Sequence, residues 1–68
     1  MMRTDYNEAI SAYTKAIMKD GDYAEAYYNR GLAKVMSYRL LQGCEDLKRS
    51  LQMGYEVAEE VITGFCGS

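Results

Sequence analysis

Laid over itself with a shift of 34 positions, this 68-residue chain keeps its order of small and large residues. Ala9, Tyr13, Ala16 and Ile17 fall on Gly43, Leu47, Ser50 and Leu51, and Ala24-Glu25 falls on Ala58-Glu59. Identities are few. Small residues nevertheless fall on small and large on large, as close helix packing demands: small positions let backbones approach and large ones fill the space between. A repeat of this length restricts the chain to stacked supersecondary units of one kind.

Those units read as helices. Tyr6, Ile10, Tyr13 and Ile17 recur at steps of four and three, with Ala9, Ala12 and Ala16 beside them, predicting an amphipathic helix over about Tyr6 to Lys19. Asp5 and Glu8 have capping-box spacing, and Gly21 is expected to supply a left-handed residue after the helix end. Asp22 and Glu25 repeat that spacing ahead of Ala26, Tyr27, Leu32, Ala33, Val35 and Met36, predicting a second helix over about Tyr23 to Met36. Ser37-Tyr38-Arg39 forms a tight link without the usual glycine. Leu40, Leu41, Cys44, Leu47, Leu51 and Met53 then predict a third helix over about Leu40 to Met53, closed by Gly54. A fourth starts at Glu56, with acidic residues in the first turn where the helix dipole favours them, and ends near Phe65. The short connections make successive helices antiparallel, so the expected fold is all-α, with about four helices paired as hairpins.

The segment Ala24-Glu25-Ala26-Tyr27-Tyr28-Asn29-Arg30-Gly31-Leu32-Ala33 resembles the opening helix of a tetratricopeptide repeat, with Tyr27 where the pattern has Trp and Gly31 where it has Gly. Asp5 to Ala9-Ile10 and on through Ala16-Ile17 resembles the second helix of a preceding repeat. The resemblance covers roughly Asp5 to Ile62 and implies a short α-solenoid: one domain over 1–68, with 5–23 as the second helix of a partial repeat, 24–57 as a full repeat and 58–66 as a closing helix. Arg30 departs from the pattern's Leu, Lys34 from its Tyr and Gly43 from its Ala, Tyr38 stands near the expected turn Gly, and Gly54-Tyr55 replaces a Pro. None of these breaks the register, and Gly43 costs about 1 kcal/mol of helix propensity relative to Ala.

A chain this short holds one core and buries roughly 60% of its unfolded surface, so partners or self-association are expected to add stability. With 49% hydrophobic residues it is too apolar for disorder, and it has no long uncharged run that would span a membrane. Eight Lys and Arg against ten Asp and Glu are spread along the chain, which leaves no basic field for nucleic acid. Met1-Met2-Arg3-Thr4-Asp5 lacks the apolar stretch of a secretory signal, so the cytoplasm is the default location. The chain has no His, no Gly-rich nucleotide loop and no Cys pair at metal spacing, so no enzyme activity, cofactor or metal is expected. Glu45 and Asp46, like Glu59 and Glu60, are neighbours that point to different parts of a helix surface and read as solvated charge.

The resemblance implies a protein-protein interaction module holding a peptide or protein partner. It places Glu25, Tyr28, Asn29, Leu32, Val35 and Met36 on or near the concave side of the second helix, continued by Glu59 and Ile62. Asn29 is the sharpest candidate. In chaperone-binding members of the family an Asn at the matching position hydrogen-bonds the bound peptide, and its amide both donates and accepts. The bland reading makes Asn29 an exposed helix residue and Tyr28, Leu32 and Met36 packing residues. The rival function is self-assembly as a homodimeric scaffold through Tyr6, Ile10, Tyr13 and Ile17 on the first helix. A third reading is a fragment of a catalytic or regulatory protein whose active residues lie elsewhere.

Cys44 lies ten residues before Gly54 and Cys66 eleven after Tyr55, so antiparallel third and fourth helices bring the two to one level. A disulfide there would close a loop worth about 3 kcal/mol in the chain-entropy model. With no sign of secretion, the favoured expectation is instead two reduced cysteines, one packed like a small hydrophobe and one near a frayed end.

Overall fold

The computed structural model describes residues 5–67, and the reading of a missing signal over residues 1–4 lies outside the described residues. Four helices follow in order, α1 (Tyr6–Lys19), α2 (Ala24–Met36), α3 (Leu40–Gln52) and α4 (Val57–Val61), and α4 runs on into a π-helical turn, Ile62–Cys66. The first three helices agree with the periodicity to within a residue at each end. The fourth is shorter in its α-helical part than the acidic first turn suggested.

The helix ends show where local rules won and lost. Asp5 caps α1, its carboxylate accepting from the Glu8 amide at 3.1 Å. The second capping signal fails: Tyr23 is the residue before α2, it makes no side-chain cap bond, and the Asp22 amide donates to the Asp20 carboxylate instead. Gly21 is not left-handed either. Asp20 ends α1 by turning extended, its amide still bonded to the Ala16 carbonyl. Both later helices close alike, with Arg39 and Tyr38 amides donating to Lys34 and Val35 carbonyls after α2, and Tyr55 and Gly54 amides to Ser50 and Leu51 carbonyls after α3. The left-handed position in that closure belongs to Gly54 (φ 98°) in one case and to Tyr38 (φ 66°) in the other.

The core lies between α2 and α3 and is built almost wholly of small residues. Ala26, Gly31 and Ala33 from α2 meet Gly43, Cys44, Leu47 and Ser50 from α3, and Ala58 plugs in from α4. Leu47 is its one large, fully buried side chain. Gly31 and Gly43 set the approach: a Cβ on Gly31 would stand 2.8 Å from the Gly43 carbonyl oxygen, and one on Gly43 would stand 2.7 Å from that of Gly31. Two backbones touch there. Buried Ser50 satisfies its hydroxyl by donating to the Leu47 carbonyl. Leu41, grouped with the apolar residues of α3 by spacing, is 82% exposed beside the turn at Tyr38.

Cys44 and Cys66 form a disulfide, with Cα atoms 5.8 Å apart. This corrects the expectation of two free thiols. Along an unbroken α-helix Cys66 would sit about 80° round from Ala58, the residue α4 buries. The wider winding of Ile62–Cys66 turns each residue through a smaller angle and brings Cys66 back toward α3.

Candidate partner-binding surface

Three helices are tied by one group of polar side chains. Asp46, read from sequence as solvated, is only 6% exposed. Its two oxygens accept from Arg30 Nε and Nη2 at 2.8 Å each, and Lys34 Nζ lies 3.0 Å from Oδ2. Arg30 also donates from Nη1 to the Thr14 hydroxyl, which itself donates back to the Ile10 carbonyl, so the cluster reaches α1. Tyr27 completes it, with the Arg30 and Arg49 guanidinium carbons 5.4 and 5.9 Å from its ring centre. The hydrogen bond to Asp46 raises the Arg30 pKa above its ordinary value, with burial opposing and the Asp46 charge assisting. A raised folded-state pKa gives stability that is fully present below the unfolded value and is lost only as pH rises through the folded one, so with the Asp46 carboxylate ionised this contribution does not change around neutral pH. The two charged departures in α2, Arg30 and Lys34, are thus one substitution seen twice: both answer Asp46.

Of the residues expected to hold a partner, Glu25 and Met36 are exposed, and Tyr28, Asn29, Leu32 and Val35 are half-buried. Tyr28 stacks at a tilt on Tyr55, ring centres 5.0 Å apart, which ties α2 to the connection before α4. Val35 lies toward α3, its Cγ2 2.6 Å from where a Gly43 Cβ would be. On the far side of the hairpin, Glu59 is exposed and Ile62 half-buried. Tyr6, Ile10, Tyr13 and Ile17 on α1 are all half-buried, and α1 buries no residue fully. A shallow open dimple at the α2–α3 link is lined by Tyr38 to Gln42, a stretch that the spacing of apolar residues assigned to the turn and the next helix.

Among the described residues no group of His, Cys, Asp or Glu side chains is placed to hold a metal ion, and no helix is long and apolar enough to cross a membrane. Antiparallel helices packed through glycine and alanine, with their outer faces left to water, define a helical-repeat module. A family model described as TPR repeat matches residues 3–36, half of the chain, and spans α1 and α2. The chain belongs to the TPR repeat family: an all-α solenoid fold and a protein-protein interaction module, in general non-catalytic. No curated protein and no solved structure matches the chain significantly.

Proposed function

We propose that this chain holds an extended peptide or a protein segment along α2, with Glu25, Tyr28, Asn29, Leu32, Val35 and Met36 as the contact set. The observation that carries the reading is the family match over α1 and α2. The frame we assign to the chain is one complete repeat over 24–57, preceded by the second helix of another and followed by a closing helix. Asn29 supplies the polar contact, since its half-buried amide can bond a peptide backbone in both directions. The compartment we propose is the cytoplasm, where a disulfide is most often transient or redox-sensing.

The test begins with partners captured from the source extract and continues by titration calorimetry against Asn29→Ala. Affinity should fall by about 1 to 3 kcal/mol, the cost of leaving a buried polar group unpaired. Equal affinity for both proteins removes Asn29 from the site. A second reading, self-assembly through α1, is favoured by one observation: its apolar stripe of Tyr6, Ile10, Tyr13 and Ile17 stays partly in water although it packs on α2.

A further inference from the structure

Two parts of this molecule are held in different ways. α2 and α3 are joined by the glycine contact, by buried Leu47 and by the Arg30–Asp46–Lys34 cluster, which reaches α1 through the Arg30–Thr14 hydrogen bond. Among the described residues, the segment after Glu56 makes no side-chain hydrogen bond or ion pair to α1, α2 or α3. Ala58 is its one fully buried residue among those described, Val57 and Phe65 are 58% and 49% exposed, and Val61 and Ile62 are half-buried. Besides the seating of Ala58, what fastens it to α3 is the bond from Cys66 to Cys44. The two sulfur-bearing residues also differ in access, Cys44 being buried on α3 and Cys66 half-buried in the last described turn.

We propose that the Cys44–Cys66 disulfide is a redox latch on the closing segment. The reductant is a dithiol. Its thiolate attacks Sγ of the more accessible Cys66, the sulfur-sulfur bond breaks, and the electron pair leaves on Cys44 Sγ. The second thiol of the reductant then attacks the mixed disulfide and releases Cys66. The dithiol ends as a cyclic disulfide, its two protons pass to Cys44 and Cys66, and two electrons have moved. Residues 57–66 then swing out on the Gly54–Tyr55 connection, opening the strip of α3 around Cys44, while α1 to α3 stay folded.

Hydrogen exchange read by mass spectrometry tests this on the full chain, untreated and after a small dithiol such as dithiothreitol. The untreated protein should show no free thiols. After reduction, amides of 57–66 should exchange on the order of a hundredfold faster, from the loss of a ring of this size. Amides of α1 to α3 should keep their protection. Cys66→Ser should give the reduced pattern without reductant, which separates loss of the bond from any effect of the reagent. Three results overturn the latch: two free thiols in the untreated protein, unchanged exchange at 57–66 after reduction, or loss of protection across α1 to α3, which would make the bond a staple of the whole fold.

Discussion

Gly43 looks like a weakness in its helix until its neighbours are considered. Replacing it with Ala gains about 1 kcal/mol of helix propensity. The new methyl, however, would stand 2.7 Å from the Gly31 carbonyl oxygen and 2.9 Å from the Val35 amide, backbone atoms that cannot turn aside. Overpacking of this kind costs up to about 3 kcal/mol, so Gly43→Ala should lose about 1 to 2 kcal/mol net in urea melts. A gain in stability would mean that the helices are farther apart than described. Tyr38 shows the opposite case. It takes the left-handed position that Gly54 takes one helix later, at roughly 1 to 2 kcal/mol for a residue with a Cβ, while its side chain is 97% exposed and recovers nothing by burial.

Between helices, Asp46 carries the connection. With Asp46→Ala, Arg30 and Lys34, each with a side chain 16% exposed, are left beside one another without an anion. Chemical denaturation should show a loss of about 3 kcal/mol, the low end for breaking a buried pair. Arg30→Leu, Lys34→Tyr and Asp46→Leu together should be at least as stable as the parent, since apolar replacement of a whole buried ion cluster is neutral or favourable. If the triple variant is weaker than Asp46→Ala alone, the cluster is holding geometry that apolar contacts cannot. The helices themselves were legible because apolar spacing is a local signal, and α1 to α3 lie where that spacing puts them. The capping of α2 was not, since Asp22 had a nearer alternative in the Asp20 turn. Neither was Asp46: adjacent carboxylates look alike in sequence, and only the fold shows that two cations from α2 converge on one of them. The candidate contacts on α2 were legible only through the family resemblance, because exposed and half-buried positions leave no periodic mark of their own.

The molecule measures 33 × 29 × 19 Å, and its thin dimension is about that of two packed helix layers. In a slab so thin every helix has a face in water, which is why so few of the described side chains are fully buried. If α1 is a self-association face, light scattering should show mass rising toward a dimer with concentration, and Ile10→Lys should return it to monomer at every concentration. A monomer throughout for the parent protein counts against that reading. The disulfide has one more effect at this level. It turns α3, the Gly54 turn and α4 into a covalent ring, since Cys44 and Cys66 are 22 residues apart in sequence. A protease that cuts once inside the ring opens a loop but sheds no fragment, so the oxidised chain survives as one piece a cut that would divide the reduced chain in two.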